Sequence, residues 1–161
     1  MKVLLVSTNP RLSLQVTTAV LGEPDVEVLE VRTPQRVLQQ LDDEGGFGLV
    51  IADADTAPTG GFALVREVKA RAQMGAEMPP VILLLAREAD KYLAKWSQAD
   101  AFILKPPDPF DLAEVVRALR DGRPVPALPR VGVPRGPMPA DVTEALGGVN
   151  VAGGTVVSSG P

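Results

Sequence analysis

Five apolar runs punctuate the chain: residues 2–6 (KVLLV), 26–31 (VEVLEV), 47–53 (FGLVIAD), 80–85 (PVILLL) and 100–105 (DAFILK). They are short, rich in β-branched residues and continuous rather than alternating, which is the pattern of strands covered on both faces of a parallel sheet. The segments between them have helical spacing. Residues 10–21 (PRLSLQVTTAVL) open on Asn9-Pro10, an N-cap type followed by the residue favoured in the first turn. Residues 33–43 repeat that device with Thr33-Pro34 and place Val37, Leu38 and Leu41 on one stripe. Residues 61–72 align Leu64, Val65 and Val68, and residues 108–120 carry a cap and a stripe of Leu112, Val115, Val116 and Leu119. Residues 86–98 are shorter in pattern and more polar. The alternation predicts a (βα)5 unit over residues 1–121.

Such a unit fits the flavodoxin-like doubly wound parallel α/β sheet of order 2-1-3-4-5, whose ligand site lies at the carboxyl ends of strands 1 and 3. Ser7, Thr8, Asn9 and Asp53 fall there. After Asp121 the composition shifts: the 40 residues 122–161 hold 7 Pro and 8 Gly, with polyproline-like spacing and no strand or helix period. This reads as a Pro/Gly-rich linker or disordered tail. Two weak signals lie within it, a two-turn helix over 139–148 and a hairpin over 149–157, together a candidate docking segment that folds on a partner or adds to a sheet edge.

Composition narrows the chemistry. Apolar residues make up 45% and charged residues 22%, as in soluble globular proteins. No run approaches the roughly 18 apolar residues of a membrane span, and MKVLLVSTNP turns polar too early for a secretory signal, so a cytoplasmic location and no membrane partner are expected. The absence of cysteine removes disulfides, thiolate metal sites and thiol nucleophiles; the absence of histidine removes the commonest general base and metal ligand. With 16 basic against 20 acidic residues and no cationic block, the chain lacks the footprint of a nucleic-acid binder.

Asp53 ends strand 3, Gly61 follows it by eight residues, and Lys105-Pro106 ends strand 5. Over residues 1–121 this arrangement resembles the receiver domain of bacterial two-component response regulators. The resemblance implies that Asp53 stands at the phosphoacceptor position, that Lys105 matches the lysine contacting the phosphoryl oxygens, and that Phe102 stands at the aromatic switch position. It also implies a Lys105–Pro106 bond that is often cis. The family's proline, normally four residues after the aspartate, is displaced to Pro58.

The departures point to a degenerate "pseudo-receiver". Where the family has two acidic residues after strand 1, Ser7 and Thr8 stand, and hydroxyls are poor substitutes for carboxylates around Mg²⁺. Where it has a switch hydroxyl after strand 4, the residue is Leu85. Asp53 is therefore expected to be paired with Lys105 and assisted by Ser7 or Thr8, with no catalytic residue, metal or cofactor. Tyr92 and Trp96, four apart on the fourth helix, and nearby Phe102 mark the face that such domains use for dimers and effectors. The expected function is a phosphorylation-independent signalling or scaffold module, not an enzyme, that binds a protein partner or a second copy through helix 4, strand 5 and helix 5. One alternative is a phospho-accepting regulator that uses Asp53 with Mg²⁺. Another is a flavin or small-anion binder, since VSTNPRLS occupies the place of a flavodoxin phosphate loop, though without its glycine.

Overall fold

Successive side chains along each central strand fall on opposite faces of the sheet, and both faces are apolar. A computed structural model describes residues 1–133, so the expected helix over 139–148 and hairpin over 149–157 lie outside the described residues. The elements run β1 (Lys2–Val6), α1 (Pro10–Leu21), β2 (Glu27–Val31), α2 (Pro34–Asp43), β3 (Phe47–Asp53), α3 (Gly60–Gln73), β4 (Val81–Leu85), α4 (Lys91–Ser97), β5 (Ala101–Leu104), α5 (Pro109–Arg120) and β6 (Val131–Gly132). The sheet order is β2-β1-β3-β4-β5-β6. The first five strands are parallel, in the expected order, and β6 is antiparallel to β5.

Leu4, Val6, Val50, Ala52, Leu83 and Leu85 pack on one face with residues of α2, α3 and α4. Val3, Leu5, Leu49, Ile51, Ile82 and Leu84 pack on the other with α1 and α5. The helix starts are capped as the sequence predicts. Asn9 Oδ1 accepts from the N–H groups of Arg11 and Leu12, Thr33 Oγ1 from Arg36, and Asp108 Oδ1 from Phe110 and Asp111. Each such cap contributes about 1 kcal/mol.

Two elements differ from expectation. The fourth helix is only Lys91–Ser97, preceded by a 3₁₀ turn at Glu88–Asp90 and stopped by left-handed Gln98 at φ 67°. No side chain caps its start; instead the pairs Arg87–Asp90 and Lys91–Glu88 hold the turn. The second difference is β6, in a stretch whose proline spacing shows no strand period. Two residues are too few to display alternation, and prolines flanking an edge strand remove no ladder bond it needs. Val125, Leu128 and Val131 from this stretch pack against the α1–α5 core.

Candidate functional site

The parallel register brings the carboxyl ends of the central strands to one rim: Val6 lies opposite Ala52, Asp53 opposite Leu84, and Leu85 opposite Leu104. Asp53, the last residue of β3, is 4% exposed. A carboxylate so placed needs partners, because an unpaired buried charge is costly. Lys105, just beyond β5, donates from Nζ to Asp53 Oδ1 at 2.7 Å and to Asp55 Oδ2 at 2.9 Å. The Asp55 N–H donates to Asp53 Oδ1 at 3.0 Å, while Ser7 Oγ donates to Asp53 Oδ2 at 3.4 Å, a long and weak bond. Ser7 Oγ in turn accepts from the Asn9 N–H at 3.0 Å. Burial disfavours the Lys105 ammonium, but its hydrogen bonds to Asp53 and Asp55 and their charges outweigh that and raise its pKa above the ordinary lysine value.

The Lys105 N–H donates to Leu85 O at 2.7 Å, and the Lys105–Pro106 bond is cis, as is Ala57–Pro58. The first turn of α3 presses against the end of β3 at Gly61. There a Cβ would lie 2.9 Å from both Ala54 Cα and Asp53 O, so the close approach requires glycine. The Thr56 hydroxyl is buried beside the cluster without a hydrogen-bond partner.

The other sequence-predicted residues are placed unevenly. Ser7 joins the cluster, whereas Thr8 is exposed and makes no hydrogen bond to Asp53, lining with Ser7 a hollow that runs to Ser13, Thr17, Glu30 and Arg32. Leu85 is wholly buried in the core beneath the rim, with no polar atom to offer. Phe102 is only 8% exposed and packs on the α4 side of the sheet. Tyr92 is 47% exposed and borders the same groove as Phe102. Trp96, one turn on, faces α3 instead: the Arg66 guanidinium stacks 4.5 Å from the Trp96 ring centroid, and Arg66 Nη1 donates to Trp96 O at 3.2 Å. Sequence reasoning missed Arg130, whose Nη2 donates to Lys105 O at 2.8 Å and so ties β6 to the cluster. No side-chain pattern in this stretch signals it, because its acceptor is a backbone carbonyl.

The Mg²⁺ that the receiver resemblance implies does not fit this donor set. A hard divalent cation seeks several anionic oxygens. Here the two carboxylates at the rim, Asp53 and Asp55, are already bridged by an ammonium, and the Ser7 hydroxyl is engaged on both sides. Among the described residues, no group of three or more His, Cys, Asp or Glu side chains could hold a metal ion. No described helix is long and apolar enough to cross a membrane.

No protein-family model matches the chain. Uncharacterised response regulatory proteins from two strains of Mycobacterium tuberculosis are 38% identical to it over 96 residues, 60% of this chain and 69% of each relative. Among solved structures, the receiver domain of a signal transduction histidine kinase from Syntrophus aciditrophicus is 27% identical, with a TM-score of 0.65 over 75% of this chain and 90% of that one. The response regulator ChrA of a heme-sensing two-component system aligns over 90% of this chain at 23% identity and a TM-score of 0.64, a likeness of fold, and this chain spans 63% of its length. Identity of 38% across more than two thirds of the mycobacterial relatives, on a sheet of the order that receivers share, makes the chain a member of the response-regulator family, a receiver domain.

Proposed function

We propose that this receiver domain signals without phosphoryl transfer, as a pseudo-receiver whose output is a protein contact rather than a reaction. The observation that carries this reading is Lys105 bridging Asp53 and Asp55 at 2.7 and 2.9 Å, beside the hydroxyl residues Ser7 and Thr8 just after β1, where the receiver resemblance implies an acidic pair. Phosphoryl transfer to a carboxylate depends on neutralising charge that develops on the transferred group. Lys105 is the one cation hydrogen-bonded to Asp53 among the described residues, and the bridge to Asp55 already engages it. The partner surface in this reading is the α4–β5–α5 face, with Tyr92 as the exposed aromatic residue of α4 and Trp96 at its α3 margin. One oxygen, Asp53 Oδ2, meets only the long Ser7 bond, which is the observation favouring a second reading, a working phosphoacceptor with unusual metal ligation.

Incubation with acetyl phosphate or beryllofluoride plus Mg²⁺, followed by intact-mass and NMR analysis, separates the two. The proposal expects no Asp53 adduct, and partner binding by Asp53→Asn equal to wild type. A stable adduct with a saturable Mg²⁺ dependence overturns it.

A further inference from the structure

Without β6, β5 would be the outermost strand, and all four of its residues, Ala101–Leu104, are buried. An apolar edge with unpaired backbone groups invites pairing with another strand. Here residues 130–132 supply the pairing. The Leu104 N–H donates to Arg130 O at 2.9 Å, Ile103 lies opposite Val131, and Phe102 lies opposite Gly132. A Cβ built on Gly132 would collide with ring carbons of Phe102, so the ring is covered by backbone that only glycine can bring so close. Arg130 completes the contact by donating from Nη2 to Lys105 O at 2.8 Å. Beside it, Glu88, Tyr92 and Lys95 border an open groove of about 540 Å³ that runs along Phe102 and Gly132.

The edge therefore has a definite complement: an antiparallel extended segment with glycine opposite Phe102 and an arginine two residues earlier that reaches the Lys105 carbonyl. We propose that the outer edge of β5 is a strand-docking site for a protein segment of this Arg-Val-Gly chemistry, filled in the resting chain by its own residues 130–132. A partner that adds a strand here displaces β6 and takes its place against Phe102. The cis strand suits displacement, because its ladder is two residues long and a connector containing Pro124, Pro126 and Pro129 joins it to α5. This inference concerns the edge alone and holds whether or not Asp53 accepts phosphate.

The test uses the full chain carrying Gly132→Val, a hexapeptide with the sequence of residues 128–133, and hydrogen exchange read at the Leu104 amide. The variant is expected to lose protection at Leu104 by about tenfold or more, with β1 and β3 amides unchanged. Added peptide should restore it, and the same peptide with valine for its glycine should not. Retained protection in the variant, no rescue by the glycine peptide, or equal rescue by both peptides overturns the proposal. Should Gly132→Val fail to fold, Arg130→Ala removes only the bond to Lys105 O. Its Leu104 protection should fall and then recover with peptide, and protection equal to wild type overturns the proposal.

Discussion

The two walls of the rim end in opposite ways. The β3–β5 wall carries three charges, Asp53, Asp55 and Lys105, joined within hydrogen-bond distance. The β1–β4 wall, built from strands just as apolar, ends in Ser7, Thr8 and the wholly buried Leu85. A charged group at the end of a buried strand persists when a counter-charge reaches it, and Asp53 finds its counter-charge at the end of β5, past the neutral end of β4. The β1–β4 wall can therefore become neutral without orphaning a charge. Rebuilding one wall leaves the other intact.

The sharpest way to break this contrast is to remove the counter-charge. Lys105→Met leaves Asp53, with 6% of its side chain exposed, facing only neutral donors, and is expected to destabilise the domain by about 3 kcal/mol in urea unfolding near neutral pH. Adding Asp53→Asn should return most of that loss, because the orphaned charge is then gone and the Asp55 N–H keeps an acceptor. A single variant within about 0.5 kcal/mol of wild type would show that the wall is not held by its own charges.

The sheet was legible in the sequence because five continuous apolar runs alternate with capped helical stripes, and both signals are local. Asp53 and Lys105 were also readable, since each ends a strand and the parallel order forces the ends of β3 and β5 toward one rim, with the end of β4 between them. What the sequence could not display was non-local. Tyr92 and Trp96 are four residues apart, yet one borders β6 and the other stacks on Arg66 of α3, because a seven-residue helix lies over the seam between two neighbours. The role of Gly132 depends on a ring thirty residues earlier in the chain, and no periodicity in residues 122–138 announces it. The same holds for Arg130, whose acceptor is a backbone carbonyl and so leaves no mark in side-chain pattern.

Alkaline titration tests the charged wall without mutation. The Lys105 pKa is raised in the folded chain, so its contribution is fully present below the unfolded lysine value, about 10.4, and is lost as pH rises through the higher folded value. Thermal melts between about pH 9 and 12 should fall more steeply for wild type than for the Lys105→Met/Asp53→Asn double variant, in which this group no longer titrates. Parallel curves would mean that other lysines dominate the alkaline loss and that the bridge adds little.

The smallest effects belong to the neutral wall, and their order matters more than their size. Ser7→Ala removes a 3.4 Å bond to Asp53 and a 3.0 Å acceptor for the Asn9 N–H, so urea unfolding should register about 1 kcal/mol. Thr8→Ala, at an exposed position one residue on, should stay within about 0.5 kcal/mol. Both fall well below the Lys105 substitution if charge balance is confined to β3 and β5. A Ser7 effect approaching that of Lys105 would instead make the hydroxyl an equal partner of the ammonium. The rim would then be a single polar network spanning both walls, and the neutral β1–β4 wall would be essential to holding Asp53 in place.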